Sequence, residues 1–169
     1  MKDLNKKNVS TIISAPWIYT SNIDSELLFN YSLIIKDDKI IDLVSQDKVF
    51  DEYEAENTYE LADHILIPGL INTHTHAAMN IFKGFADDLP LQEWLNDHIW
   101  PAEKKFVDTS FVKDGSVLAL SEMIKAGVTT FNDMYFFPDA TAEAARELGI
   151  RANIGLVVLD FPTNYASDP

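Results

Sequence analysis

From residue 65 to residue 159 the chain alternates between two hydrophobic periods, and that alternation restricts the fold more than any other feature. A short apolar run opened by Pro68 and Gly69 carries Leu70 and Ile71 and ends in Asn72, Thr73, His74, Thr75 and His76. Residues 110–126 then place Phe111, Leu118, Met123 and Ile124 near helical spacing, with Ser110 as the expected N-cap and Gly127 as the stop. Residues 128–134 read as a second strand, residues 139–149 as an alanine-rich helix opened by Asp139 and closed by Gly149, and residues 151–159 as a third strand. Strand, helix, strand, helix, strand is the pattern of a parallel α/β layer, because parallel neighbours need a long crossover between them.

Residues 1–64 read differently. Strands are expected at 9–13, 31–36 and 39–44, with Asp37 and Asp38 as the turn of a hairpin. Residues 51–60 are acidic and read as a solvated connection. The domain organisation expected is therefore 1–64 as a β-rich part and 65–169 as three strands with two crossover helices. Such a layer falls short of the eight strands that close a β/α barrel and leaves an open edge. A longer remainder is expected to follow Pro169.

In an extended strand, residues two apart project to the same side, so His74 and His76 share a face. Two imidazoles together at a strand end can give two nitrogen ligands to one divalent metal, zinc first and iron as the alternative. A bare pair of this kind also occurs as solvated polar residues; its position after a buried strand, at the start of a loop, favours the site. Two nitrogens fall short of the three protein ligands a catalytic zinc keeps.

Composition narrows the partners. Twenty-seven acidic against 13 basic residues give a formal charge of -14, which disfavours nucleic acid and anionic membrane and points to a small molecule. With no cysteine, thiolate zinc sites, disulfides and cysteine nucleophiles are excluded. Residues 1–7 lack a following apolar stretch of leader type, and no run reaches spanning length, so a cytoplasmic location is the default expectation. Self-association stays open.

Taken together, residues 68–76, 82–91, Trp94, 98–103 and 132–137 resemble the metal-dependent amidohydrolase superfamily, nearest to the deaminases of 5′-methylthioadenosine and S-adenosylhomocysteine. The resemblance implies a TIM-like (β/α)8 barrel, preceded by the N-terminal share of a small β-sandwich. It implies that His74 and His76 are the first two metal ligands, with further ligands and proton-transfer groups beyond residue 169, so that no catalytic residue is assigned within the chain. The reaction implied is hydrolytic attack at C6 of an adenine ring, ammonia leaving and the inosine analogue remaining. It further implies Glu103 as the acceptor for ribose hydroxyls and Trp94 as an aromatic wall near the 5′ substituent. Read alone, Trp94 is equally a core aromatic on a helix over 91–98, and Glu103 a surface acid. The arginine that some relatives carry after the third strand has no match, since Arg151 stands at that strand's start.

The remaining polar residues read as structural. His64 is expected on the surface, His98 to fix a turn over 99–101, and Asn72 to support the histidines from one layer below. Asp133 stands at the end of the second strand, where local hydrogen bonding accounts for it, and Asp87 and Asp88 read as loop solvation. Two rivals stay open: a triazine or free-base amidohydrolase of the same fold, and a non-catalytic binding or scaffold protein that keeps the histidines without a full metal shell. The 169 residues alone are expected to be inactive.

Overall fold

A computed structural model describes residues 6–22, 24 and 26–168. Residues 1–5, part of the stretch read above for a leader, lie outside the described residues. The chain divides into two compact units, Met1–Pro68 and Gly69–Pro169.

The first unit is a mixed sheet in the order β3-β2-β1-β4, with β5 also on β1. Strand β1 (Lys7–Tyr19) runs antiparallel to β2 (Leu27–Lys36) and parallel to β4 (Tyr53–Glu60) and β5 (Ile65–Leu66). The expected hairpin is present: β2 returns as β3 (Lys39–Ser45) with Lys36 opposite Lys39, and Asp37 takes a positive φ of 57°. Val9, Ile12, Ile34, Val49 and Tyr53 form the core of this unit. Ser14 and Ser32, directly paired across the ladder, satisfy each other inside it at 2.8 Å.

Three expectations for this unit need correction. β1 is far longer than residues 9–13: it runs through Pro16, which lacks an amide donor, and the ladder resumes at Trp17 opposite Phe29. Residues 51–60 are not a solvated connection. They hold the end of α1 (Val49–Glu52) and the strand β4, last in the order among the described residues, which packs Tyr53 and Ala55 inward while Glu54 and Glu56 stand on the exposed face. Charge on an edge strand blocks pairing with other chains and hides the strand's periodicity. Lastly, Ile65 and Leu66 pair with Trp17 and Ile18 of β1, so the second unit begins at Gly69 and not at residue 65.

The second unit is a parallel sheet in the order β6-β7-β8, made of β6 (Leu70–Thr75), β7 (Val128–Met134) and β8 (Arg151–Gly155). Helix α4 (Thr109–Lys125) and helix α5 (Pro138–Leu148) are the crossovers, and Ala119, Leu120, Phe131, Ala144, Ala145 and Ile150 pack between helices and sheet. The expected β7 matches residue for residue. The helix starts shift: the N-cap of α4 is Asp108, whose carboxylate accepts from the Phe111 amide at 2.8 Å, and not Ser110, which lies inside the first turn. Helix α5 starts at Pro138, one residue before Asp139, with Phe137 in the left-handed region at φ 51°. Its stop at Gly149, φ 71°, is as expected. The third strand ends at Gly155 and not at residue 159, because its ladder ends where Met134 closes β7.

Between β6 and α4 the chain makes a 3₁₀ turn (Ala77–Phe82) and a helical run: α2 (Leu91–Glu93), a π-helical stretch (Trp94–Ile99) and α3 (Trp100–Phe106). The expected helix over 91–98 thus continues to Phe106. Pro101 has no amide to offer the Asp97 carbonyl, and the widened turn sits just ahead of it. The supposed 99–101 turn is helical, and His98 instead packs edge-on against Phe85, with ring centroids 6.1 Å apart. No helix among the described residues is long and apolar enough to cross a membrane.

Close approach between α4 and the 3₁₀ turn requires Gly115: a Cβ there would overlap the Ala78 carbonyl oxygen and lie 2.9 Å from the Ala78 Cα. Gly115→Ala normally stabilises a helix by about 1 kcal/mol. Here the sign is expected to reverse, with a loss of about 1–3 kcal/mol from overpacking, read by denaturant unfolding.

Candidate metal and substrate site

Strand β6 delivers the histidines. Thr75 ends the strand and is buried between His74, which is exposed, and His76, which is half-buried; the two imidazoles stand edge-on with centroids 5.1 Å apart. Local bonds keep this segment from fraying. The Asn72 side chain accepts from the His74 amide at 3.2 Å, so Asn72 supports the backbone of the motif and not its rings.

The end of β7 does most of the holding. Asp133 is 1% exposed, and its Oδ1 accepts from the Thr75 hydroxyl and from the Ala77 amide, each at 2.7 Å. The next residue, Met134, offers its carbonyl to His76 Nδ1 at 2.5 Å. A carbonyl can only accept, so Nδ1 carries the proton and the Nε2 lone pair of His76 is left for a ligand. That tautomer fits a metal ligand. Among the described residues no group of three or more His, Cys, Asp or Glu could hold a metal ion, so the pair is at most part of a coordination shell.

A cleft of about 220 Å³ in this unit brings His76, Trp94 and Glu103 together with Met79, Tyr135 and Met134. The π-helical stretch brings Trp94 to it, and α3 brings Glu103. Glu103 is half-buried and accepts from the Tyr135 hydroxyl at 2.7 Å. Burial pushes its carboxyl above the ordinary range, against the opposing pull of the Tyr135 hydrogen bond and of His76. The Tyr135 phenol is raised as well, first by its own burial and then by the Glu103 charge. Glu103 is therefore an oriented acceptor in a mostly apolar cleft, with one oxygen engaged by Tyr135.

His64 is exposed in the first unit, and its amide donates to the Leu61 carbonyl. Tyr135 and Asn164 had not been singled out. Tyr135 directly follows a strand end, the position where barrel enzymes place functional groups, and that rule was the available signal. Asn164 gave none: its amide donates to the Glu103, Lys104 and Val107 carbonyls at 3.1, 3.0 and 2.9 Å and closes the C-terminal end of α3.

The amidohydrolase family model matches residues 65–168. The chain belongs to the amidohydrolase family. A 5-methylthioadenosine/S-adenosylhomocysteine deaminase of Saccharophagus degradans is 47% identical over 165 residues, covering 98% of this amidohydrolase chain and 37% of the relative. A 5′-deoxyadenosine deaminase of Methanothermobacter thermautotrophicus is 40% identical over 91% of the chain and 34% of its own length. An adenosine deaminase of Xanthomonas campestris, solved with bound zinc, superposes with a TM-score of 0.90 at 34% identity, over 96% of this chain and 37% of that one. The chain thus spans just over a third of the length of these relatives. The strand and helix order of its second unit is that of the opening of an amidohydrolase barrel.

Because burial raises the Glu103 carboxyl, ionising it in the fold is costly, and that cost is absent at pH values below its unfolded range and present above the raised value. Glu103→Gln keeps an oxygen for Tyr135 and removes the charge. In metal-free buffer the variant is expected to melt at or above the parent temperature at pH 7, the difference vanishing near pH 4; calorimetry across that range checks it.

Proposed function

We propose that this amidohydrolase chain supplies two metal ligands and one side of the substrate cleft for hydrolytic deamination of adenosine-type nucleosides with altered 5′ positions, the substrates being of the 5′-methylthioadenosine and S-adenosylhomocysteine class. The observation that carries it is the cleft itself: His76, an oriented carboxylate at Glu103 and the indole of Trp94 line one cavity of about 220 Å³. The names and identities of the relatives support the same reading. In the same proposal, the first unit forms the N-terminal share of a small β-sandwich, and the second, from Gly69 on, opens the barrel.

His74 and His76 would hold one divalent cation, zinc before iron, through ring nitrogens, His76 through Nε2 because Nδ1 is committed to Met134. A bound divalent cation supplies Lewis acidity and activates water at neutral pH. Glu103, ionised, accepts hydrogen bonds from the ribose diol, and Tyr135 fixes the carboxylate's direction so that little freedom is lost when the sugar arrives. Trp94 gives an apolar wall that excludes water and packs the 5′ substituent. The Glu103–Tyr135 pair favours a nucleoside over a triazine or a free base, neither of which offers a diol.

Glu103→Gln separates these readings in the whole enzyme. Nucleoside KM is expected to rise about 10- to 100-fold, the worth of one or two charge-assisted hydrogen bonds, while turnover of a free base stays level. Unchanged nucleoside kinetics would remove the ribose assignment. The 169 residues by themselves are expected to bind zinc at micromolar affinity or weaker, to lose it on His76→Asn, and to show no deamination; tight stoichiometric zinc in the purified chain contradicts this.

A further inference from the structure

We infer that Asp133 is the positioning residue of the histidine pair: a buried carboxylate on the neighbouring strand that sets the backbone turn aiming His74 and His76 at a common cation. The inference rests on the metal reading of that pair. Its observations are independent of the cleft. Thr75 and Asp133 stand opposite each other in the β6–β7 ladder, so the carboxylate meets the motif in register. One oxygen, Oδ1, takes both the Thr75 hydroxyl and the Ala77 amide, and thereby brackets His76 on both sides. The adjacent Met134 carbonyl takes the His76 ring itself. Two consecutive residues of β7 thus determine the backbone path and the tautomer of the same ligand.

The other oxygen, Oδ2, is the only buried side-chain nitrogen or oxygen without a hydrogen-bond partner among the described residues. No salt bridge to Asp133 occurs among the described residues. A buried carboxylate without a countercharge is costly, and for accepting the two bonds at Oδ1 an amide oxygen would serve as well as an acid. A cation held by His74 and His76 would supply a positive field where none is present among the described side chains. The charge at position 133 is therefore expected to act on cation affinity, beyond its bonds to Thr75 and Ala77.

The test is zinc titration of the purified, metal-free protein, followed through the His76 imidazole nitrogen signals by NMR, with thermal unfolding of each metal-free variant alongside. In the parent, His76 is expected in the Nδ1–H form, with zinc shifting Nε2. Asp133→Asn, nearly the same shape, is expected to weaken zinc by about 10-fold, and Asp133→Ser to weaken it by about 100-fold and mix the His76 tautomers, at a temperature where every metal-free form is folded. His76→Asn is the control for the metal reading. If zinc binding survives that change, the reading of the pair fails. If it is lost there but Asp133→Asn binds zinc within twofold of the parent with the tautomer unchanged, the positioning role is overturned while the pair stands. Should Asp133→Ser not fold, the Asp133→Asn result decides alone.

Discussion

The parallel ladder between β6 and β7 is the contact on which the rest of the site depends. Register there places Thr75 beside Asp133 and leaves His74 and His76 at the rim. A slip of one residue would turn both imidazoles to the opposite face, since strand side chains alternate. The slip is resisted by the bonds that the buried Asp133 carboxylate accepts from the Thr75 hydroxyl and from the first amide of the following turn, and by the Asn132 carbonyl, which lies 3.1 Å from the same hydroxyl. Apolar packing of Leu120 and Phe131 gives the layer its cohesion, while the polar bracket gives it one register.

Around this ladder, glycine and proline do local work. Gly69 approaches Thr129 so closely that a Cβ would lie 2.9 Å from that residue's own Cβ, which ties the start of β6 to β7. Gly115 allows α4 to back the turn after His76. Pro101 stands at the change from π-helical to α-helical winding that carries Trp94 and Glu103 to one cleft. None of these residues touches a substrate atom in the proposed chemistry, yet each determines where a functional side chain ends.

Sequence reasoning read the regular parts well and the edges poorly. Strand β7, both helix stops and the hairpin at Asp37 follow from periodicity and turn chemistry, which are local. The strand over 53–60 was missed because its outward positions are carboxylates; edge strands trade apolar alternation for charge. The N-cap of α4 was misassigned by two residues because Asp108 and Ser110 are both competent caps, and only the geometry at Phe111 separates them. In the site, the histidine spacing was legible because a period of two is a local property. Asp133's role was not, because its partners lie more than fifty residues away in sequence and one carboxylate at a strand end resembles any other. For Tyr135 the strand-end position was a signal, but its partner was not legible, Glu103 being brought to it by helical winding that Pro101 perturbs.

The bonds from Asn164 to the last carbonyls of α3 have an evolutionary corollary. They join the backbone beneath the proposed sugar acceptor to the irregular segment after β8, which, like most loops, tolerates change more readily than the layer does. Replacements at Asn164 act on the carbonyls that end α3 without touching the Glu103 side chain, while Val157 of the same segment lines the cleft directly. Selectivity can therefore change through the segment that closes α3, ahead of any replacement of Glu103 or Trp94.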